Sequence, residues 1–171
     1  MDELRQAIVE EIPRLRRYAR ALLRDRDAAD DLVQDSLERA LSRMESWAIG
    51  DSPHRWLLTI MHHLFVDQSR RAKRHVQAVT AMPKAIDAIA TPPPQVDKLA
   101  SREVLLALQQ LRPEWRSALA LVAVEGLSYA DAANALGIGA GTLASRIARG
   151  REELRSILDD VARSVTEAVE K

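Results

Sequence analysis

"LSYADAANALGIGAGTLASRIARGREELR", residues 127 to 155, reads as two helices separated by a tight turn. Ser128 is a natural N-cap for a short helix ending at Leu136, and Gly137 supplies the left-handed residue that stops it. Ile138 to Gly141 then lead into a longer amphipathic helix. On its 3.6-residue spiral, Thr142, Ser145, Arg146 and Arg149 fall on one side and Leu143, Ile147 and Leu154 on the other. A short helix, a glycine turn and an amphipathic helix with a polar, arginine-bearing face predict a helix-turn-helix, whose exposed arginines are suited to phosphates and base edges in a major groove.

The rest of the chain carries the same three-or-four spacing and no period-two alternation bounded by turn pairs, so the fold class is all-α. A first helix is expected from about Leu4 to Leu23, with Ile8, Ile12, Leu15, Ala19 and Leu22 inward and Pro13 marking a kink or a helix start. A second follows RDRDAAD, capped by Asp27, with Asp30 and Asp31 in its first turn and an apolar stripe of Val33, Leu37, Ala40, Leu41 and Met44. After a turn at Gly50 to Pro53, "HRWLLTIMHHLFVDQSRRAKR" predicts a third helix with Leu57, Ile60, Met61, Leu64 and Phe65 inward. The pattern dissolves between His75 and Lys98, where Pro92, Pro93 and Pro94 cannot continue a helix, and a linker is expected there, with Lys84 to Ile89 as a possible helical piece. A second module opens with Ser101 to Leu111 and continues after Pro113 from Glu114 to Val124.

With 171 residues, 47% hydrophobic and 29% charged, the chain has ordinary globular composition, and its 25 basic and 25 acidic side chains cancel. Any nucleic-acid surface must therefore come from local segregation of charge. Such segregation is present: Arg55, Arg70, Arg71, Lys73 and Arg74 face only Asp67 between His54 and Arg74, while Asp159, Asp160, Glu167 and Glu170 dominate the tail. The absence of cysteine removes disulfides, thiolate metal sites and thiol nucleophiles. The start MDELRQAIVEE is charged from its second residue, and no uncharged stretch approaches membrane-spanning length, so a cytoplasmic protein with no direct membrane insertion is expected. No nucleophile elbow, phosphate loop or HExxH pattern occurs, so neither an enzyme nor a cofactor is expected. Adjacent His62 and His63 point about 100° apart on a helix and have no third ligand in view, so no metal is expected there either.

"DAADDLVQDSLERAL" (27 to 41), "WLLTIMHHLFVDQSRR" (56 to 71) and residues 111 to 155 together resemble, in order and spacing, extracytoplasmic-function (group IV) RNA polymerase sigma factors of the sigma-70 family. The resemblance implies a sigma-2 helical bundle at 1–75 that binds core polymerase and recognises and melts the −10 element, a flexible linker at 76–98, and a sigma-4 helix-turn-helix domain at 99–160 that reads the −35 element. Residues 161–171 form an acidic amphipathic tail beyond it. The implied partners are core RNA polymerase, promoter DNA and an anti-sigma factor. Polymerase docking falls on Asp30, Asp31, Gln34, Asp35 and Glu38. The −10 set is Trp47, His54, His62, His63, Arg70, Arg71 and Arg74, with Gly50 beside the loop that receives an unstacked base and Trp56 packing rather than stacking. At the −35 element Ala144, Ser145, Ala148 and Arg149 match the base-reading face, Arg149 toward a guanine, while Thr142 and Arg146 touch phosphate or hold the helix.

Two departures from the family pattern stand out. His62 and His63 occupy positions where the family commonly has Arg-Asn, and Ala144 replaces a common basic residue, leaving apolar contact with a thymine methyl. Past the helix-turn-helix, Leu154, Leu158, Val161, Val165 and Val169 continue an apolar stripe, which either folds back on sigma-4 or serves as an interaction helix for a regulator. Two other readings of the whole chain remain: a sigma-like decoy that binds an anti-sigma factor, or an ordinary helix-turn-helix regulator.

Overall fold

The computed structural model describes residues 2–47, 51–78 and 96–169, and among them there is helix and no strand. The order is α1 (Asp2–Leu22), α2 (Arg26–Leu41), a 3-10 turn (Met44–Ser46), α3 (Pro53–Ala78), α4 (Val96–Leu108), α5 (Pro113–Leu119), a π-helical stretch (Ala120–Val124), α6 (Tyr129–Leu136) and α7 (Ala140–Val169). The helical piece expected at Lys84 to Ile89 lies outside the described residues.

Helix α1 continues through Pro13, which is exposed, so the helix does not start there. Its buried face is Leu4, Ile8, Leu15, Tyr18, Ala19 and Leu22, while Ile12 is only half-buried. The cap of α2 is Asp25, not Asp27: Asp25 is extended and its Oδ1 accepts from the Ala28 backbone N–H at 2.9 Å, which leaves Asp27 in the first turn. The expected stripe of α2 holds at Val33, Ala40 and Met44, which are buried, and at Leu37, which packs against the core, but not at Leu41. Ala29, Leu32, Val33, Ser36 and Ala40 are buried, whereas Leu41 is 50% exposed. Ser36 can sit inside because its hydroxyl donates to the Leu32 carbonyl at 2.6 Å, a polar residue satisfied by its own helix that apolar spacing alone does not reveal.

α1, α2 and α3 pack on one another, and α5 packs on α7. The crossing of the last two is close at Gly150, where an added Cβ would lie 2.9 Å from Leu119 Cδ1 and 3.2 Å from Trp115 Cβ. That explains a glycine within a helix, where it otherwise costs about 1 kcal/mol against alanine. The expected helix through Val124 changes character at Ala120: the Glu125 N–H reaches back five residues to the Ala120 carbonyl at 3.1 Å, and the Leu127 N–H binds the Leu121 carbonyl at 3.0 Å. This wider turn ends at Gly126, whose φ of 71° is left-handed, and it swings Glu125 toward α1.

The two halves share an interface. α1 also packs against α4, α5 and the π stretch, and α3 packs along α6, so the buried apolar residues of both halves form one continuous cluster. The C-terminal carbonyls of α1 are satisfied from the other half: Gln109 Nε2 donates to the carbonyls of Arg20 (2.7 Å) and Leu23 (3.1 Å), and Arg116 Nη1 donates to that of Leu22. Beyond the helix-turn-helix, Leu154 and Ile157 pack against the core while Val161 is exposed, so burial fades along the tail; the side chains of Val165 and Val169 lie outside the described residues.

Candidate nucleic-acid interface

The helix-turn-helix is built as its residue types dictate. Ser128 Oγ accepts from the Asp131 N–H at 3.1 Å and donates to Asp131 Oδ2 at 2.7 Å, a reciprocal cap on α6. Gly137 is left-handed (φ 63°, ψ 35°), and the Ile138 N–H binds the Ala133 carbonyl at 3.0 Å, closing the helix end. Leu143 and Ile147 anchor α7 in the core. This leaves Thr142, Ala144, Ser145, Ala148 and Arg149 exposed on a common outer face, while Arg146 is half-buried and turned toward α3.

On α2, Asp30, Asp31, Gln34, Asp35 and Glu38 are all exposed. They are lightly tied: Asp30 lies 3.8 Å from Arg16 Nε, Gln34 donates to Glu38 at 3.3 Å, and Gln68 of α3 donates to Asp35 at 2.9 Å. A dense acidic face with few cationic partners is suited to a basic protein surface.

The −10 set is divided by the fold. Arg70, Arg71 and Arg74 stand exposed on the C-terminal half of α3, and His63 is exposed before them. Trp47 and Trp56 are half-buried against the core, the Trp47 indole N–H buried without a partner; Gly50 lies outside the described residues. His62, expected at the surface, is instead 8% exposed. Burial, then the neighbouring His63 and Arg146, push its pKa down to about 4. His62, His63 and Arg70 share with Arg39, Glu114 and Arg146 a cleft of about 780 Å³ between α3 and the second half.

His54 is also buried, in a polar cluster that sequence reading missed. Its Nδ1 lies 2.8 Å from Glu11 Oε2, and its Nε2 is 3.5 Å from Glu125 Oε2, an ion-pair distance rather than a hydrogen bond. The Glu125 carboxylate is wholly buried and is gripped by Arg17 through Nε at 3.1 Å and Nη2 at 3.3 Å. Tyr18 is buried beside it, and burial followed by the Glu125 charge raises the phenol pKa. On the other side of His54, Arg55 pairs with Asp131 Oδ1, so the cap of α6 is also fastened to α3. Hydrogen bonds to Ser128 and then to Arg55 hold the Asp131 carboxyl below its usual range. These partners are separated by 43 to 108 positions, a distance at which no local periodicity could have paired them.

Among the described residues no cluster of three or more His, Asp or Glu is placed to hold a metal, and no helix is long and apolar enough to cross a membrane.

An all-α protein of two helical modules, the second a helix-turn-helix with an open polar face, is the class that this arrangement defines. Residues 8–62 match the family model of the sigma2 domain of PhyR, and residues 101–154 match that of sigma-70 region 4. The ECF RNA polymerase sigma factor EcfG of Rhodopseudomonas palustris is 37% identical over 157 residues, covering 92% of this chain and 86% of that protein. SigE of Mycolicibacterium smegmatis is 33% identical over 150 residues, or 85% of this chain and 57% of that one. Among solved structures, the sigma factor RpoE of Bartonella quintana, in co-crystal with the anti-sigma factor NepR, gives a TM-score of 0.82 at 33% identity over 93% of this chain and 98% of that one. The chain belongs to the extracytoplasmic-function sigma factors, the transcription initiation factors of RNA polymerase.

Proposed function

We propose that this chain works in the cytoplasm as a non-enzymatic alternative sigma factor that binds core RNA polymerase and directs it to one promoter class in a stress or signal response. The observation that carries the reading is the exposed face of α7: Thr142, Ala144, Ser145, Ala148 and Arg149 are left free of packing on the helix that follows a fully capped turn. Such a face is built to enter a major groove. Arg149 takes the guanine, Ala144 meets a thymine methyl, and Arg146 positions the helix or meets phosphate.

In this reading residues 1–75 form the sigma-2 module, 76–98 the linker, 99–160 the sigma-4 module and 161–171 an acidic tail. The exposed acids of α2 dock on a basic face of the polymerase, and Arg70, Arg71 and Arg74 hold phosphate near the −10 element, so promoter affinity falls as salt rises. Because the similar RpoE was crystallised with NepR, an anti-sigma factor is the natural regulator to expect here.

A second reading is favoured by one observation, the match of residues 8–62 to the sigma2 domain of PhyR, since the PhyR of Bartonella quintana is an anti-anti-sigma factor. A decoy of that kind binds an anti-sigma factor and does not require polymerase. Co-purification with core RNA polymerase separates the two: recovery of a stoichiometric complex supports the sigma-factor reading, and no complex at micromolar concentrations contradicts it.

A further inference from the structure

The cleft that holds His62 is lined from α2, α3, α5, α6 and α7, so it is a hollow rather than a groove along one helix. Its volume of about 780 Å³ falls within the range of small-molecule sites, about 300–1,000 Å³. Charge around it is uneven: Arg39, Arg43, Arg70 and Arg146 line it, against the two acids Asp67 and Glu114. None of these four guanidiniums makes an ion pair with a carboxylate among the described residues, whereas Arg17 and Arg55 elsewhere in the same half each have one. Arg39 and Arg43 are exposed and four positions apart at the end of α2, so core packing does not account for them. Cations left without counter-charge around one hollow raise its positive potential and draw an anion.

The rest of the lining is of another kind. Ile60 and Phe65 of α3, with Leu136 and Ile138 beside the glycine turn, give the cleft an apolar wall. Among them His62 is buried, and its Nδ1 has no hydrogen-bond partner. A buried ring nitrogen left unpaired is rare in a folded protein. His62 is uncharged at neutral pH, so that nitrogen suits the neutral edge of a heterocycle better than a phosphate. We propose that this cleft binds a nucleoside polyphosphate, with its phosphates on the Arg39, Arg43, Arg70 and Arg146 guanidiniums and its base between Phe65 and Ile138, where His62 Nδ1 meets the base edge. Arginine fits the first part, because its planar fork sets two N–H donors against two phosphate oxygens. An anion without a base would leave the apolar wall and His62 unused. Arg70 also holds promoter phosphate in the sigma-factor reading, so a bound nucleotide takes it from DNA. That competition rests on the sigma-factor reading; the binding itself does not.

The test is isothermal titration of the full chain, without divalent metal, by ATP, by GTP and by inorganic tripolyphosphate as the probe that lacks a base. One nucleotide should bind per chain with a Kd below about 200 μM for ATP or GTP, and tripolyphosphate should bind at least about tenfold more weakly. Arg39→Gln/Arg43→Gln changes only exposed side chains, so helix content by circular dichroism should be unchanged while nucleotide affinity falls at least about tenfold. The same variant should bind a mixed-sequence DNA duplex within about twofold of the parent, and saturating nucleotide should weaken duplex binding by the parent at least about threefold. His62→Leu should lose at least about fivefold for the nucleotide and nothing for tripolyphosphate. Binding of both nucleotides weaker than about 200 μM overturns the site, as does tripolyphosphate binding as tightly as they do, or parental affinity in the arginine variant. Parental nucleotide affinity in His62→Leu overturns the placement of the base, and duplex binding indifferent to bound nucleotide overturns the competition.

Discussion

Arg55 of α3 pairs with Asp131 of α6, whose other carboxylate oxygen accepts from the capping hydroxyl of Ser128. One acid thus serves both the start of the helix-turn-helix and the contact between halves. Asp131→Ala should destabilise the fold by about 0.5–1.5 kcal/mol, the scale of one side-chain hydrogen bond and a partly exposed ion pair, because Ser128 still accepts from the backbone N–H of residue 131. Chemical denaturation followed by circular dichroism checks this, and a change under about 0.3 kcal/mol would mean that neither carboxylate contact stabilises the fold.

Arg149 projects from the exposed face of α7, clear of the core. Arg149→Ala should weaken binding to the cognate −35 element by about 1–3 kcal/mol and relax preference at a single base pair. Competition binding against duplexes substituted at each position measures both; uniform weakening across sequences would assign Arg149 to phosphate instead.

Asp31 and Asp35 lie on the exposed acidic face of α2. Reversing both to lysine should remove core polymerase binding while leaving duplex binding by the helix-turn-helix within about twofold, because α2 makes no part of that surface. Pull-down of core at the parental yield by the double variant would place docking elsewhere.

His62 gives the chain a pH signature. Its pKa is pushed down to about 4 in the folded state, so between about 6.5 and 4 the unfolded chain takes up a proton that the folded chain refuses. Stability is therefore full above about pH 6.5 and declines as pH falls toward 4, by roughly 3 kcal/mol in all, and this contribution levels off below that. The depressed carboxyl of Asp131 adds a loss in the same direction only at still lower pH. His62→Leu, which removes a ring nitrogen buried without a partner, should flatten the decline between pH 6.5 and 4.5. A parallel decline in both proteins, read from urea midpoints across that range, would show that His62 is not its source.

Much of this architecture is legible locally. The Ser128 cap, the Gly137 stop and the Leu143 and Ile147 anchors follow from residue types at fixed offsets, and all are found in place. The loss of helical pattern and the proline run at Pro92 to Pro94 divide the chain into two modules in the sequence, and the family resemblance says what each module is. What was not legible is what depends on distant partners. Asp25 and Asp27 are equivalent candidates until the helix start is known, and Ser36 reads as polar until its bond to Leu32 is seen. His54 looks like a loop residue for DNA, yet it is buried between Glu11 and Glu125, because an acid 71 positions downstream returns to meet it. Gly150 resembles a helix weakness until Leu119 and Trp115 are found against it.

The central claim is that this chain confers promoter choice on RNA polymerase. In vitro run-off transcription, with purified core polymerase, the full chain and a fragmented genomic library as template, tests it most directly. The account predicts discrete transcripts that need the chain, share one pair of upstream elements and lose their common −35 preference with Arg149→Ala. Transcripts unchanged by adding the chain, or initiation at unrelated sequences, would contradict it.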